Sequence, residues 1–486
     1  MIWNHTIPWG YILTAALTMG GYLLAFFLIP RILLDRRNPE ATLAWILIII
    51  FLPYLGAAAF FLLARPRLKR RTRKRWRYRN ALQVSLEKLP GAPAPDARRL
   101  IGPREGRDIA RLAGAVAETP LLPGNAMEVF IDGQKAYAAM EEALSNATRH
   151  IHLMSYIFRP DYTGTRFRDI LTEKAWRGVK VKLLVDAFGG RHISASFIRP
   201  LLREGGELAF FSPMLPRLSR WRPNLRNHRK ILVVDGSIGF TGGLNIGNEY
   251  QGRTARLAPW RDTHLRVEGP AVRSLQEIFI EDWLYAANED LAEIDYFPDT
   301  PAAGPELVQV IASGPDCGDK AIHRVFFTAI TEARRKIYIT TPYFVPDPGM
   351  LLALKAASWR GLDVRVLLPG ASDMPLVQWA GRSYYQELLE AGVTLYEHRP
   401  GVLHAKTMVV DGNWSTVGSA NMDIRSFQLN FEVNVLVWGT AFAECMENIF
   451  LKDLENSRLL SLPDIEKRSL PVRMVEGVAR VLSPVL

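Results

Sequence analysis

The sequence predicts an α/β protein made of two similar halves, with mixed sheets covered by helices, preceded by an N-terminal two-helix transmembrane hairpin. A string of the form His-x-Lys-x4-Asp-x6-Gly-[Gly/Ser]-x-Asn occurs twice, with its histidines 176 residues apart. Segments that precede the two strings also match in pairs, and two long uncharged runs stand near the N-terminus. At 486 residues the chain exceeds one ordinary domain.

Residues 1–64 predict the transmembrane hairpin. Residues 11–29 hold no charged side chain, and as a helix they would span about 28 Å, close to one hydrocarbon core. Residues 41–64 are also uncharged. A signal peptide fits poorly, because there is no basic N-terminal region and a second apolar run follows at once. Pro53 and Gly56 interrupt this second run, which leaves a kinked helix or a re-entrant hairpin as alternatives.

A basic juxtamembrane segment and linker, residues 65–120, come next. Residues 65–79 contain ten Lys or Arg residues and no acid, in a chain with a net charge of +11. The positive-inside rule places this segment and everything after it on the cytoplasmic side, where it would attract anionic lipid. Nucleic acid is the alternative partner, but the position beside a membrane favours lipid. The loop with Arg31, Arg36 and Arg37 must then face outward or be re-entrant.

Residues 121–300 and 301–486 predict two halves with the same order of elements. Three pairs of segments match: 149–153 with 335–339, 176–181 with 359–364, and 201–205 with 388–392. Each half is therefore predicted to contain, in order, a strand, a helix, a strand, a helix, a strand and the motif strand. This order predicts a parallel or mixed sheet covered by helices. The first half has an insertion, residues 212–226, with several cations around Trp221. This insertion would either bind acidic lipid headgroups or form an exposed loop.

The two motif strings are predicted to carry the chemistry. The candidate catalytic residues are His228, Lys230 and Asp235 in the first string and His404, Lys406 and Asp411 in the second. Histidine and lysine two positions apart on a strand share one face. An imidazole serves as nucleophile or acid/base near neutral pH, and lysine supplies positive charge to a phosphate. Behind the following turn, small residues and Asn245 or Asn421 let amide donors approach an oxyanion.

The residue types also limit which cofactors are expected. No carboxylate or Cys/His set with metal-ligand spacing accompanies the motifs, which predicts phosphodiester chemistry without a metal or other cofactor. Cys317 and Cys445 are the only cysteines and give no disulfide framework. The tail from Val472 to Leu486 has apolar residues at helical spacing and would either pack on the body or touch a bilayer.

The paired strings resemble the HKD motifs of the phospholipase D superfamily. The resemblance implies two phospholipase D-like halves that meet with one motif from each, a covalent phosphohistidine intermediate and no metal. It also implies an acidic residue in contact with each catalytic histidine, and Glu432 and Asp262 match that position in the second and first halves. Gly243 stands where the family more commonly has serine, as at Ser419 in the second half.

The hairpin, the basic segment and the twin motif together resemble the bacterial cardiolipin synthases over nearly the whole chain. The resemblance implies phosphatidyl transfer between two phosphatidylglycerol molecules, giving cardiolipin and glycerol, with His228 as nucleophile and His404 as acid and base. It implies a multi-pass protein of the bacterial cytoplasmic membrane, with anionic phospholipids as partners and no nucleic acid. A membrane-anchored phospholipase D and a nuclease or polyanion-binding protein are the alternatives. The sequence indicates no oligomeric state.

Overall fold

The computed structural model describes residues 9–34, 39–63, 97–102, 104–212, 224–255, 257–291, 294–316 and 320–483. The predicted basic run 65–79 lies outside the described residues, as do Cys317 and most of the predicted insertion. The N-terminal helices belong to one compact unit, and both predicted halves belong to a second. The predicted boundaries at residues 120 and 300 stay predictions.

The N-terminal unit contains three helices: α1 (Trp9–Leu34), α2 (Pro39–Phe51) and α3 (Pro53–Leu63). Among the described residues, only α1 is long and apolar enough to cross a membrane. The second apolar run is divided at Leu52, because Pro53 has no amide hydrogen with which to continue the helix. The rings of Trp45 and Phe60 are 5.5 Å apart. Fifteen residues along one straight helix would separate them by about 22 Å, so α2 and α3 fold back on each other.

The bend between α2 and α3 contacts the middle of α1. The Tyr54 hydroxyl donates a hydrogen bond to the carbonyl oxygen of Leu17 at 2.6 Å. Two glycines of α1 allow this approach: a Cβ at Gly20 would lie 2.5 Å from the Tyr54 hydroxyl, and one at Gly21 would lie 2.9 Å from the Pro53 ring. The predicted hairpin therefore consists of one long apolar helix and a shorter helical pair, which bends at Pro53 where the sequence had left a kink or a re-entrant hairpin open.

The second unit combines helices with one large sheet. Its α-helices are α4 (Arg104–Ala117), α5 (Gly133–Asn146), α6 (Tyr162–Trp176), α7 (Ala195–Arg203), α8 (Val272–Ala287), α9 (Ala321–Glu332), α10 (Pro348–Trp359), α11 (Pro375–Arg382), α12 (Tyr385–Glu390), α13 (Ile424–Gln428), α14 (Thr440–Glu455), α15 (Leu462–Glu466) and α16 (Leu470–Val481). The strands of the first half are β1 (Leu122–Asp132), β2 (His150–Ser155), β3 (Lys180–Asp186), β4 (Glu207–Phe211), β5 (Arg226–Asn227), β6 (Ile231–Val234), β7 (Ile238–Gly242) and β8 (Trp260–Glu268). Those of the second half are β9 (Glu306–Ser313), β10 (Lys336–Thr340), β11 (Phe344–Val345), β12 (Asp363–Ala371), β13 (Thr394–Leu403), β14 (Thr407–Val410), β15 (Trp414–Gly418), β16 (Met422–Asp423), β17 (Asn430–Trp438) and β18 (Ser457–Leu459).

The order of the strands shows the internal repeat. The sheet runs β18-β13-β12-β10-β14-β15-β17-β9-β1-β8-β7-β6-β2-β3-β4, with β5 beside β17. Outward from the β9–β1 pair, the strands from β8 to β4 correspond in turn to those from β17 to β13, while β18 has no counterpart on this path and β11 pairs with β16 in a separate two-stranded sheet. Within each half parallel pairs are joined to antiparallel ones, so the predicted mixed sheet and the predicted alternation of strands and helices are confirmed. Helices cover both faces because these strands are apolar on both sides.

The two halves exchange short strand contacts near their motifs. In the first half, β5 pairs in parallel with β17 of the second half. In the second half, the end of β13 pairs in parallel with β8 of the first. Each motif therefore begins against the last long strand of the opposite half.

Candidate active site

The His-x-Lys residues lie between strands rather than within one strand as predicted. Residues 228–230 connect β5 to β6, and residues 404–406 connect β13 to β14. The backbone N–H of His228 donates to the carbonyl of Phe431 at 2.9 Å, and that of His404 donates to the carbonyl of Arg261 at 2.7 Å. These matching bonds across the halves bring both motifs to the same seam of the sheet.

Each motif histidine contacts a carboxylate from the opposite half. Nδ1 of His228 lies 3.1 Å from Oε2 of Glu432, and Nδ1 of His404 lies 2.6 Å from Oδ2 of Asp262. Both carboxylates are buried. An Nδ1–H that donates to a carboxylate leaves the lone pair on Nε2. Each imidazole therefore keeps one nitrogen available for a substrate.

The two motif lysines lie beside their histidines. The Lys230 ammonium donates to the carbonyl of His228 at 2.7 Å. The Lys406 ammonium donates to the carbonyl of His404 and also lies 3.0 Å from its Nδ1. Burial lowers the pKa of Lys230 to about 7 and the pKa of Lys406 to about 8. Two buried cations with lowered pKa values favour binding of an anion, which would restore their charged forms.

The histidines and their carboxylates have shifted pKa values as well. Burial and the neighbouring Lys230 lower the pKa of His228 to about 4. Burial and Lys406 lower the pKa of His404, while Asp262 opposes them. Burial raises the pKa of Glu432 and of Asp262, but the adjacent histidine, the neighbouring motif lysine and the hydrogen-bond donors together outweigh it, and both pKa values are lowered. Both carboxyl groups are therefore ionised near neutral pH.

The glycine at 243 and the serine at 419 play different parts. A Cβ at Gly243 would lie 1.9 Å from Oδ1 of Asp262, so the carboxylate occupies the place of a side chain there. At the matching position, the Ser419 hydroxyl donates to Oε2 of Glu432. The backbone N–H of Gly243 donates to Thr263, and that of Ser419 donates to Val433. In the structure these donors bond to Glu432 and to backbone carbonyls of the sheet, and the approach of amide donors to an oxyanion stays a prediction.

The two motif asparagines hold loops and neighbouring side chains. The Asn245 amide donates to the hydroxyl of Tyr250 at 3.0 Å, and its oxygen accepts from the backbone of Ile157 at 3.1 Å. The Asn421 amide donates to Asp423 at 3.2 Å. Both asparagines thus make contacts within the protein, and their direct contact with phosphate oxygens stays a prediction.

The aspartates of the motif lie away from the histidines. Asp235 accepts hydrogen bonds from the backbone N–H groups of residues 148–150. Asp411 accepts from those of residues 334–336 in the same way. Since Asp235 is five residues beyond Lys230 along a strand, the two are about 17 Å apart. The geometry makes both aspartates positioning residues that fix the start of the neighbouring strand, not members of the reacting cluster.

Aromatic residues surround the histidines, and among them Tyr156 was not selected from the sequence. The ring centroid of Tyr156 lies 5.1 Å from that of His228, and the ring centroid of Tyr343 lies 6.3 Å from that of His404. Trp260 lies 5.1 Å from His404. Tyr156 and Tyr343 are 187 residues apart, whereas residues 149–153 and 335–339 differ by 186, so the two tyrosines do not occupy equivalent positions of the repeat.

Comparison with known proteins agrees with this geometry. A family described as "Cardiolipin synthase, PLD-like domain" matches residues 140–283 and 326–454, and one described as "Phospholipase_D-nuclease N-terminal" matches residues 23–65. The cardiolipin synthase of Geobacillus thermodenitrificans is 40% identical over 93% of this chain and 90% of its own length. That of Listeria monocytogenes serotype 4a is 36% identical over 95% and 97%.

A solved structure supports the fold independently. The phosphatidylserine synthase of Haemophilus influenzae Rd KW20 superposes with a TM-score of 0.61 at 15% identity, over 78% of this chain and all of the other. At that identity the likeness concerns the fold alone. The family matches and the identities over nearly the full length carry the assignment: the chain belongs to the bacterial cardiolipin synthases of the phospholipase D superfamily.

Proposed function

We propose that this chain transfers a phosphatidyl group from one phosphatidylglycerol molecule to another, giving cardiolipin and glycerol. The observation that carries the proposal is the pair of histidine–carboxylate contacts, each joining the two halves across one seam. Such an arrangement supplies one nucleophile and one acid/base to a single phosphorus atom. Two buried lysines beside it supply positive charge for the phosphoryl oxygens.

The reaction proceeds in two balanced steps. Nε2 of His228 attacks the phosphorus of the first lipid. The bond from phosphorus to the oxygen of the headgroup glycerol breaks, and His404 gives that oxygen a proton so that glycerol leaves. A glycerol hydroxyl of the second lipid then gives its proton to His404 and attacks the same phosphorus. The phosphorus–nitrogen bond breaks, which frees His228 and releases cardiolipin.

The surroundings of the two histidines support this order. With a pKa of about 4, His228 stays neutral at physiological pH and keeps its nucleophilic lone pair. His404 has the closer carboxylate contact, at 2.6 Å against 3.1 Å. A closer carboxylate stabilises an imidazolium better, so of the two histidines His404 is the better suited to carry the proton, although burial and Lys406 lower its pKa. In this account Asp235, Asp411, Asn245 and Asn421 maintain the shape of the site.

Incubating the purified protein with phosphatidylglycerol alone tests the proposal. We expect cardiolipin and glycerol in equal amounts. Phosphatidic acid as the main product would instead identify a phospholipase D that transfers to water. His228→Ala and His404→Ala should each lower the rate of transfer by several orders of magnitude, on the order of the losses seen when members of other catalytic sets are removed. Near-normal turnover in either variant would rule out a shared site.

We further propose that the N-terminal unit crosses the cytoplasmic membrane once and that α2 and α3 form a re-entrant pair. The bend of this pair contacts α1 at Leu17, Gly20 and Gly21, near the middle of the spanning helix. A helical pair that enters the membrane to its middle and then turns back has both of its ends on the same side of the membrane. The cations at Arg31, Arg36 and Arg37 and those of residues 65–79 then share the cytoplasmic side, in agreement with the positive-inside rule.

A single cysteine at position 38 distinguishes the two topologies. In a full-length chain without its native cysteines, Asn38→Cys in intact cells should resist a membrane-impermeant maleimide and react after the cells are opened. Ser145→Cys, in α5 of the catalytic body, should behave in the same way, and Asn4→Cys should react in intact cells. Reaction of Asn38→Cys in intact cells would establish two complete spans.

A further inference from the structure

The C-terminal helix α16 is amphipathic in the reverse of the usual sense. Its side chains at Glu476 and Ala479 are buried against the body, and Ser483 just beyond the helix is buried with them. The apolar residues lie on the opposite face, at spacings of four, four and three: Leu470, Met474, Val478 and Val481. A helix on a water-exposed surface normally presents polar residues outward. This outward face is therefore suited to an apolar environment.

The apolar side chains of this face are largely exposed to solvent, and contacts on the inner side fix the position of the helix. Met474 and Val478 are each 62% exposed, and Val481 is 79% exposed. On the inner side, Arg468 donates to Glu476 at 3.0 Å and also to the carbonyl of Arg382 at the end of α11. The apolar side chains thus do not point outward because the helix is loose. They are held outward by ionic contacts beneath them.

The neighbouring helix α11 extends the apolar surface. It packs against α16, and Met374, Leu376 and Trp379 at its start are exposed. We name these three residues and the four apolar residues of α16 the C-terminal apolar face. Surface tryptophan beside aliphatic residues is characteristic of elements that lie at the boundary between lipid headgroups and acyl chains. The segment from Lys467 to Arg480 also carries four cations. Arg468 and Arg480 pair with Glu476 and Glu387, and Lys467 and Arg473 are the cations that suit an anionic surface.

The C-terminal apolar face adjoins the catalytic site. Asp373, directly before Met374, accepts a hydrogen bond from the Tyr343 hydroxyl at 2.8 Å. The Tyr343 ring in turn lies 6.3 Å from the ring of His404. A surface that begins one residue from this contact is continuous with the side of the site where the proposed mechanism releases glycerol and admits the second lipid.

We propose that the C-terminal apolar face docks on an anionic bilayer surface and holds the His404 side of the site against the lipid headgroups. The helix α16 lies in the interface with Met474, Val478 and Val481 below the headgroups and with Lys467 and Arg473 beside the phosphates. This contact is additional to the N-terminal helices. It sets the orientation of the catalytic body toward the bilayer.

Depth measurements on the full-length protein test the contact without relying on the proposed function. A nitroxide on Val478→Cys, in a chain with Cys317→Ser and Cys445→Ser, is examined in vesicles of phosphatidylglycerol and phosphatidylethanolamine. We expect frequent collisions with oxygen dissolved in the bilayer and few with a water-soluble nickel chelate. Ser145→Cys should show the reverse. Equal access of the chelate to both positions would overturn the proposal, as would a nitroxide shielded from both reagents and coupled to a second copy.

Activity measurements test what the contact does. Met474→Gln, Val478→Gln and Val481→Gln together should lower turnover in vesicles by about tenfold, since each change removes buried apolar surface from the interface. In detergent micelles, where any orientation reaches the lipid, turnover should match the parent. The matched control is Trp176→Gln, Leu202→Gln and Leu352→Gln, three exposed apolar residues elsewhere, which should keep the parent rate in both. Equal losses in micelles and vesicles would refute the docking role, while failure of the parent to make cardiolipin in either would refute the proposed function instead.

Discussion

Replacing Gly243 by serine gives opposite expectations from family resemblance and from geometry. Resemblance favours serine at this position as an additional hydrogen-bond donor. In the structure, a Cβ at residue 243 would lie 1.9 Å from Oδ1 of Asp262. That carboxylate is fixed at both oxygens: Oδ1 accepts from the N–H of Thr263 at 2.8 Å, and Oδ2 contacts His404 at 2.6 Å. The carboxylate therefore has to move, and the contact with His404 is lost.

The size of the effect follows from the bond that breaks. A hydrogen bond to a charged group contributes about 1.5–3 kcal/mol. If this contribution stabilises the protonated His404 in the transition state, its loss lowers the rate by about 10- to 150-fold. The assay is the initial rate of cardiolipin formation in detergent micelles, compared with the parent at equal protein concentration. We expect Gly243→Ser to fall in this range while its circular dichroism stays native.

Two comparisons make the result decisive. Gly102→Ser adds the same side chain where a Cβ meets no atom within 4 Å, so its rate should equal that of the parent. Asp262→Asn keeps the shape of the carboxylate but removes its charge, and it should lose at least as much activity as Gly243→Ser. A Gly243→Ser rate within twofold of the parent, or an active Asp262→Asn, would show that the contact with His404 is not needed for transfer.

Three further predictions concern the lysines, the motif aspartates and metal ions. Because Lys230 and Lys406 lose their charge above pKa values of about 7 and 8, kcat/KM should fall on the alkaline side. Lys230→Arg should move that limb to higher pH, and an unchanged limb would exclude Lys230 as its source. Asp235→Asn and Asp411→Asn should each lower the free energy of unfolding, measured by thermal or chemical denaturation, by about 1.5–3 kcal/mol, since charged acceptors of backbone hydrogen bonds are lost. Both variants should retain most of the parent's turnover. Activity in micelles should survive treatment with a chelator, and specific recovery by one added metal would contradict the metal-free chemistry.

The sequence predicts the repeated architecture well because repetition and periodicity are local properties. The two matching strings and their flanking segments indicate two equivalent series of strands and helices, and the sheet has that symmetry. Spacing alone does not reveal which residues meet across the halves. The contact of Glu432 with His228, and of Asp262 with His404, depends on the pairing of β5 with β17 and of β13 with β8. These are tertiary contacts between residues more than 140 positions apart.

The remaining differences have equally specific causes. Asp235 and Asp411 belong to the motif, which suggested catalysis, but an extended strand carries each of them away from its histidine. Residues 41–64 are apolar throughout, as a spanning helix requires, and Pro53 ends one helix and begins another. The sequence identified this interruption, but the direction in which the chain turns after it depends on the packing of α3 against α2.

Mapping the covalent intermediate tests the central claim most directly. The purified protein is mixed with phosphatidylglycerol in micelles, quenched within one turnover under conditions that preserve phosphohistidine, digested and examined by mass spectrometry. We predict that the mass of a phosphatidyl group appears on the peptide containing His228 and disappears as cardiolipin forms. An adduct on the His404 peptide would reverse the assigned roles. Cardiolipin formation with no adduct on either histidine would contradict the two-step mechanism.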